Sequence, residues 1–229
     1  MKKLFLLIFP ALFLFSCKKD DRLPRVETIT KGSKWGIEIG SSPIDIYSRL
    51  QALGKEKNFD QVAVVYRTSY SKPQDVQHLL AFYNALTLEN NTAVIDRAII
   101  WFPNDKVYDI TAGGALPEAI AKWPEDVPEE TAIHKNDPVD SLYNKLLAIY
   151  QVPAYSQYKI TLPDKPLNKP FDPDMSNYEE WAFSMSGRVN ASIMGTSSVR
   201  LYFKNGQLDK IRHEYSESTV YNDPASATG

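Results

Sequence analysis

Cysteine is almost missing from this chain, since Cys17 is the one cysteine among 229 residues. A single thiol excludes an internal disulfide and every multi-cysteine zinc, iron–sulfur or redox site. An excess of positive charge is missing too, because 26 Lys and Arg face 28 Asp and Glu, a formal net charge of −2. Without a global basic field, we expect no nucleic-acid partner.

Motifs for catalysis are also missing. The chain has no GxSxG and neither of the phosphate-binding patterns GxxxxGK[ST] and GxGxxG. Its histidines are His78, His134 and His213, and none of them forms a ligand spacing such as HxxxH. We therefore predict no catalytic residue, no metal and no cofactor, and interpret His78 and His134 as solvated and His213 as half-buried in a strand. A dispersed pair of carboxylates of the glycosidase kind stays open among the 28 acids.

Apolar runs are short. The longest near the amino terminus is the 12 residues from Leu4 to Phe15, preceded by Lys2 and Lys3. A membrane-spanning helix needs about 20 apolar residues. A basic start, a short apolar middle and a small residue before the cut are typical of a secretory signal peptide, which we predict over residues 1–16.

The four residues Leu14, Phe15, Ser16 and Cys17 resemble the lipobox of bacterial lipoproteins. The resemblance implies cleavage before Cys17 and acylation of its thiol and its new amino group, so that several acyl chains anchor the protein durably in the membrane. The Lys-Lys-Asp-Asp run at 18–21 resembles the signal that sends Bacteroidota-type lipoproteins to the cell surface. An outer membrane lipoprotein is therefore expected, at the cell surface or on the periplasmic face, with a flexible tether over 17–34.

Two segments of the remaining chain repeat a helix-start pattern. Residues 42–50 match residues 137–146, and each begins with a capping residue, Ser42 or Asp137, followed by proline and then by an acid at the third helical position. Apolar residues then recur at i, i+4 and i+7, as an amphipathic helix requires. We predict a helix from each pattern.

Each predicted helix is followed by a strand, at 61–67 and at 157–162, and later by a hairpin, at 99–108 and at 199–208. The Asn205-Gly206 pair is a strong turn signal, because both positions accept a positive φ. Further predictions are helices at 73–88 and 116–123 and a strand at 179–186. The expected class is α+β, with two related helix-plus-antiparallel-sheet units packed in tandem at 35–112 and 137–216, a linker at 113–136 and a loose tail at 217–229.

Gly40, Ser41 and Ser42 before the first helix, and the Tyr-Phe-Lys-Asn-Gly run at 202–206, resemble the small lipoproteins of the outer-membrane assembly machinery (BamE/SmpA type). That family shares a helix-pair-plus-sheet fold with the tandem β-lactamase inhibitor proteins. The resemblance implies a layered fold and transfers no binding residue.

A long proline-rich loop at 163–178 is the predicted partner-binding element, with Phe171 and Tyr178 as its candidate contacts. The oxygen-rich run that begins at Asp172 starts like a calcium loop, but Asn177 stands where glycine is needed, so a turn built from Pro and Asx residues explains it without a metal. We expect a non-catalytic binding or scaffold module for an envelope protein. The alternative is a surface hydrolase or glycan-binding protein that uses dispersed carboxylates and exposed aromatic residues.

Overall fold

Strands dominate the computed structural model, which describes residues 24–91 and 95–220. The helices in these ranges are α1 (Pro43–Lys57), α2 (Val139–Ile149) and three short 3-10 helices, Pro73–Asp75, Gln77–Phe82 and Pro173–Asn177. The strands are β1 (Arg25–Ile29), β2 (Ser33–Lys34), β3 (Ile37–Glu38), β4 (Gln61–Val64), β5 (Ala85–Asn91), β6 (Ile95–Trp101), β7 (Asp109–Gly113), β8 (Glu118–Ala119), β9 (Lys122–Trp123), β10 (Ile133–His134), β11 (Lys159–Thr161), β12 (Lys165–Pro166), β13 (Glu180–Asn190), β14 (Ile193–Lys204) and β15 (Gln207–Thr219). The described strands pair antiparallel, so the predicted α+β class is confirmed.

Helix α1 begins where its sequence pattern predicts. The Oγ of Ser42 accepts a hydrogen bond from the backbone N–H of Asp45 at 3.4 Å, and Pro43 takes the first helical position, where no N–H partner is needed. The helix ends at Asn58, whose left-handed backbone (φ 57°, ψ 55°) returns its N–H to the carbonyl of Gly54.

Helix α2 begins one residue later than predicted, at Val139, and its capping residue is Pro138, which makes no side-chain cap. The expected cap, Asp137, is used elsewhere. Its carboxylate accepts a hydrogen bond from the backbone N–H of His134 at 2.7 Å and another from Nζ of Lys145 at 2.6 Å. Because the Asp137 carboxylate binds Lys145 of the helix and the N–H of His134, it does not cap the start of α2.

The larger sheet has six strands in the order β1-β15-β14-β13-β4-β12. Its longest pair, β14 with β15, turns at Asn205 and Gly206, with φ of 52° and 72°. The predicted hairpin is confirmed, because a two-residue turn with two positive φ angles matches the twist of the strands that it joins. The predicted strand at 179–186 is also present, as β13.

The second sheet has five strands in the order β11-β5-β6-β7-β8. Its β6–β7 hairpin differs from the prediction for 99–108. Trp101 pairs with Asp109, so residues 102–108 form a loop, and of its Asn104-Asp105 pair only Asp105 has a positive φ, at 57°. The prediction of a two-residue turn at Asn104-Asp105 is therefore wrong.

Two other predicted helices are wrong. Residues 73–88 form two 3-10 helices followed by β5, and residues 116–123 contain the short strands β8 and β9. The apolar residues that indicated the first helix are buried all the same, since Val76, Leu79, Tyr83 and Leu86 are fully enclosed. A 3-10 turn followed by a strand buries the same side chains as a regular helix would, so the pattern alone did not separate them.

Two hydrophobic cores result, and each combines both halves of the chain. The α1 core packs α1 against β4, β13, β14 and β15, and the α2 core packs α2 and the 3-10 helix Gln77–Phe82 against β5, β6, β7 and β11. The predicted tandem of two sequential units is therefore not shown. Apolar spacing identifies the face that a helix buries, but the sheet that receives this face is chosen by the tertiary fold.

The chain ends of the described part also differ from prediction. Within the expected flexible tether, residues 25–29 form β1, which pairs with β15 from Arg25↔Tyr215 to Ile29↔Ile211, and β15 runs into the predicted tail as far as Thr219. Cys17, the signal peptide 1–16 and residues 221–229 lie outside the described residues. Within the described ranges, no helix combines the length and the apolar character that crossing a membrane requires.

Candidate functional site

The two residues predicted to bind a partner both pack against the protein. Phe171 is half-buried, with its ring 5.5 Å from the ring of Tyr47 and 6.3 Å from that of Trp181 in the α1 core. Tyr178 is half-buried too, and its ring lies 5.9 Å from the guanidinium of Arg67. These contacts give the 163–178 loop a place in the fold, and its role in binding a partner stays a prediction.

The three histidines lie on different elements. His78 is exposed beside Asp174, at 3.0 Å, and His213 is half-buried in β15, where it contacts Ser197 Oγ at 3.0 Å. Burial lowers the pKa of His213. His134, expected to be solvated, is instead half-buried and 2.7 Å from Glu129. No group of three or more His, Cys, Asp or Glu residues in the described ranges is arranged to hold a metal ion.

A buried polar cluster lies between the two cores, and Lys165 is its centre. This lysine is fully buried, and its Nζ donates hydrogen bonds to Tyr47 Oη at 2.8 Å and to the carbonyl of Pro166 at 3.0 Å. Burial lowers the pKa of Lys165 to about 7, and the nearby carboxylate of Asp172 opposes the shift. The lysine thus sits against a tyrosine of the α1 core while its ammonium is 5.6 Å from the ring of Tyr83 in the α2 core.

Asp172 completes this cluster from the loop that precedes the third 3-10 helix. It is buried and accepts hydrogen bonds from Tyr83 Oη at 2.6 Å and from the backbone N–H of Asp174 at 2.9 Å. The Arg67 guanidinium lies 5.0 Å from the Tyr83 ring. A lysine with a near-neutral pKa suits proton transfer or Schiff-base chemistry. Because Lys165 is enclosed, however, no substrate reaches it in this structure, and the cluster joins the two cores instead.

A cavity of about 510 Å³ opens beside the α2 core, and it shares no lining residue with the polar cluster. Its chemistry comes from three aromatic side chains and four acids: Trp123, Tyr155, Tyr158, Asp96, Glu118, Glu125 and Asp126. We call it the aromatic–acidic cavity. Small-molecule sites have volumes of roughly 300–1,000 Å³, so the size fits a ligand or a partner's side chain.

The aromatic rings of this cavity pack against one another. The ring centroid of Trp123 is 5.4 Å from that of Tyr155 and 5.6 Å from that of Tyr158, and the two tyrosine centroids are 5.5 Å apart. The planes are inclined by 49° to 70°, the edge-to-face and tilted arrangements that aromatic quadrupoles favour. Trp123 and Tyr158 are buried, whereas Tyr155 is half-buried at the rim.

Short strands hold the tryptophan in place. Trp123 pairs with Ile133 across β9 and β10, and the segment between these strands is tied by Glu129. The carboxylate of Glu129 receives Nζ of Lys122 at 2.6 Å and lies 2.7 Å from Nε2 of His134. The hydrogen bond from Lys122 holds the pKa of Glu129 below its usual value, and the contact with His134 adds to this.

The two tyrosines come from the turn that follows α2. The N–H of Tyr158 donates to the carbonyl of Tyr155 at 3.2 Å, which closes one turn between the two residues. Tyr150, at the end of α2, donates its hydroxyl to the carbonyl of Tyr158 at 2.9 Å. The helix end thus fixes the backbone from which both rings project.

Both tyrosine hydroxyls donate to carboxylates of the cavity. Tyr158 Oη donates to Asp96 Oδ2 at 2.5 Å, and Tyr155 Oη donates to Asp126. Burial raises the pKa of both tyrosines, and the hydrogen-bonded carboxylates raise it further. The hydroxyls therefore stay protonated, and the cavity combines neutral rings with negative charge.

Other surface cavities differ in size or charge. One of about 310 Å³ also combines aromatic rings with acids, since its lining includes Tyr66, Tyr178, Tyr202, Phe203, Glu179 and Glu180, but it is smaller and Glu180 is paired with Arg200 at 2.5 Å. One of about 430 Å³ at the C-terminal end of α1 is lined by Lys55, Asp60 and Phe59 among others, with a single aromatic ring and charges of both signs. The aromatic–acidic cavity has no Lys, Arg or His among its described lining residues. Its larger volume and its four acids, against two in the cavity at Tyr178, make it the candidate site.

Sequence reasoning missed this site. Trp123 was placed at the end of a linker helix, and Tyr155 and Tyr158 were not singled out. A signal exists in the spacing of the tyrosines at i and i+3 and in the Trp-Pro-Glu-Asp run at 123–126. Neither pattern predicts that the two segments meet, because 30 or so residues and a helix separate them.

Comparison of the chain with protein family models, with curated proteins and with solved structures found no match. The geometry of the aromatic–acidic cavity and the amino-terminal sequence are therefore the observations from which a function is argued.

Proposed function

We propose that this chain is a lipid-anchored, non-catalytic binding module of the bacterial cell envelope that holds a protein partner through the aromatic–acidic cavity. The amino-terminal resemblance to a lipobox supports attachment at Cys17 to the outer membrane, with the folded part at the cell surface or in the periplasm. The cavity is the observation that carries the binding function, because three packed aromatic rings and four acids line one opening.

Aromatic residues are effective binding surfaces for a physical reason. Tyrosine and tryptophan offer large rigid contact areas and lose little conformational entropy, which is why they dominate interface hot spots. Here the rings are already held by packing and by hydrogen bonds to Asp96 and Asp126. A ligand would meet a site that needs little ordering.

The proposal of a non-catalytic role rests on the groups that could transfer a proton. Lys165 has a suitable pKa of about 7 but is enclosed. The cavity tyrosines have raised pKa values, which makes them poor acids at neutral pH. A binding site is the simpler use of these side chains.

A cavity variant of the full-length protein tests the binding role. Tyr155→Ala removes a half-buried ring from the rim, and Tyr108→Ala removes an exposed tyrosine that does not line the cavity. We expect a partner cross-linked in whole cells to be recovered with the wild type and with Tyr108→Ala, and to be lost with Tyr155→Ala. Equal recovery from all three proteins would contradict binding through the cavity.

The anchor is tested separately with Cys17→Ala. We expect this variant to lose fatty-acid labelling and to leave the membrane fraction, because its thiol is the predicted acylation site. Cys17→Ser is a useful second variant, since it keeps the side-chain size without a thiol. Labelling that persists in either variant would contradict the lipoprotein proposal, and protease treatment of intact cells would distinguish the surface from the periplasm.

The second candidate function, glycan binding or hydrolysis, is favoured by the same cavity, because aromatic faces stack on sugars and carboxylate pairs cleave glycosidic bonds. Incubation of the full-length protein with envelope polysaccharides distinguishes it. New reducing ends that disappear in Asp126→Asn would contradict the non-catalytic proposal.

A further inference from the structure

The charge in the aromatic–acidic cavity is entirely negative, and it comes from four acids. Asp96, Glu118, Glu125 and Asp126 line it, and among the ion pairs of the described residues none includes any of the four. Lysines and arginines elsewhere on this protein do pair with acids, such as Lys122 with Glu129. Four carboxylates without an ion pair around one opening produce a negative potential that attracts a cation.

The aromatic rings favour the same charge. The face of an aromatic ring is electronegative, so a cation near the face of tryptophan or tyrosine is stabilised. Tyr155 and Tyr158 donate their hydroxyls to Asp126 and Asp96, which shifts electron density toward the rings and strengthens this attraction. Three such rings lie within 5.6 Å of one another at the cavity.

The lining also distinguishes an organic cation from a metal ion. A metal needs several oxygen atoms converging on one point, and no described group of acids has that arrangement. The cavity instead adds apolar surface from Leu116, Ile120 and Pro124 to its rings. A cation that carries an alkyl chain buries this chain against apolar surface while its charge meets the carboxylates.

We infer that the aromatic–acidic cavity binds an alkylammonium group, the chemistry of a lysine side chain. This inference rests on the proposed binding function and specifies its ligand. The group can come from a lysine of the protein partner or from a free amine, and both sources share the same recognition.

Probe binding to the detergent-solubilised full-length protein tests the inference. The probes are Nα-acetyl-lysine methylamide, its Nε-acetylated form, which is neutral, and n-butylamine as a free amine, and titration calorimetry measures the binding of each. We expect saturable binding of the lysine probe, weaker at high salt, and at least about 5-fold weaker binding of the neutral form. A neutral probe that binds as tightly as the charged one would overturn the inference.

Charge variants identify the cavity as the binding site. In Glu125→Gln/Asp126→Asn two of the four acids lose their charge, and we expect the dissociation constant of the lysine probe to rise about 5- to 20-fold. A matched control, Glu130→Gln/Asp209→Asn, removes the same charge at two exposed positions outside the cavity. An equal rise of the dissociation constant in both double variants would show a general charge effect and would contradict binding of the lysine probe in the cavity.

Ring variants separate the aromatic contribution from folding. Tyr155→Phe keeps the ring and loses the hydrogen bond to Asp126, whereas Tyr155→Leu loses the ring. We expect the first to retain most of the affinity for the lysine probe and the second to lose about 3-fold or more, with unchanged circular dichroism in both. Equal binding by both variants would contradict cation–π recognition.

The outcomes separate this inference from the proposed function. A partner that depends on Tyr155 but binds equally well after its lysines are acetylated would overturn the alkylammonium ligand and leave the binding module in place. Binding of n-butylamine as tight as that of the lysine probe is expected from alkylammonium recognition, and loss of the cross-linked partner after acetylation of its lysines would assign the group to a partner's lysine. No saturable binding of any amine, together with no partner that depends on Tyr155, would contradict both.

Discussion

Lys165 is the residue whose environment departs furthest from that of an ordinary surface lysine. Its ammonium is enclosed between Tyr47 and Tyr83, with the Asp172 carboxylate as the nearby opposite charge. A lysine that loses water without a full ion pair favours its neutral form. The buried amine therefore links the stability of the fold to pH.

We predict that stability rises with pH from about 7 toward 10.5 through Lys165. The folded pKa of Lys165 is about 7, against an ordinary value of 10.5, so in this window the unfolded chain binds a proton that the folded chain does not. Each pH unit then adds up to about 1.4 kcal/mol to the free energy of unfolding. Urea unfolding between pH 6.5 and 9 measures this increment, which Lys165→Met should lack.

An exposed lysine supplies the control for this experiment. Lys204→Met removes the same charge from the surface of β14 and should leave the pH dependence as in the wild type. If Lys165→Met unfolded with the same dependence on pH as the wild type, Lys165 would not be the titrating group.

At the scale of the element, the β14–β15 hairpin shows the closest agreement between a local pattern and its structure. Asn205 and Gly206 both adopt the left-handed region, with φ of 52° and 72°. Asparagine and glycine accept this region at low cost, and they set the register of a hairpin that runs 12 residues on one side and 13 on the other. The start of helix α1 is similar, because Ser42, Pro43 and Asp45 lie within one turn.

We predict that Gly206→Ala lowers the free energy of unfolding by about 1 kcal/mol. A Cβ at this position meets no atom within 4 Å, so the cost is one of backbone conformation and not of packing. Gly187→Ala in β13 is the matched control, since its Cβ also meets nothing within 4 Å and its φ lies outside the left-handed range. Chemical denaturation should show a loss for Gly206→Ala alone, and equal losses would contradict the backbone explanation.

At the scale of the whole molecule, each helix packs on strands that are distant from it along the chain. Helix α1 comes early and packs on strands β13 to β15, while α2 comes later and packs on β5 to β7. The polar cluster around Lys165 connects these cores through Tyr47 and Tyr83. The segments of the two cores are thus interleaved along the sequence.

We predict that a core variant in one helix loosens the sheet that is distant from it in sequence. Leu50→Ala in α1 and Leu146→Ala in α2 each remove a fully buried side chain, at a cost of about 2–5 kcal/mol. Hydrogen exchange should accelerate more in β13–β15 for Leu50→Ala and more in β5–β7 for Leu146→Ala. The reverse pattern would support sequential units and contradict the interleaved cores.

The parts of the fold that sequence reasoning predicted are those decided by neighbours along the chain. The start of α1, the Asn205-Gly206 hairpin and β13 depend on capping, turn chemistry and alternation, which act over a few residues. Predictions were wrong where a distant residue competes for a capping side chain, as Lys145 does for the carboxylate of Asp137. They were also wrong where two alternative backbone conformations bury the same side chains, as in residues 73–88. Residues 25–29 are predicted as part of the tether because they lack sustained apolar periodicity, and only their pairing with β15 makes them strand β1.

By itself, the sequence of this protein determined the α+β class, the start of α1, the Asn205-Gly206 turn and the expectation of a lipid anchor at Cys17, because each depends on contiguous residues. Only the tertiary structure decided which sheet each helix covers, that Lys165 is enclosed, and that Trp123 meets Tyr155 and Tyr158 beside four acids. The physical reason is that burial and electrostatic fields are set by groups brought together from distant segments. The candidate site is of this second kind, since no single segment contains it.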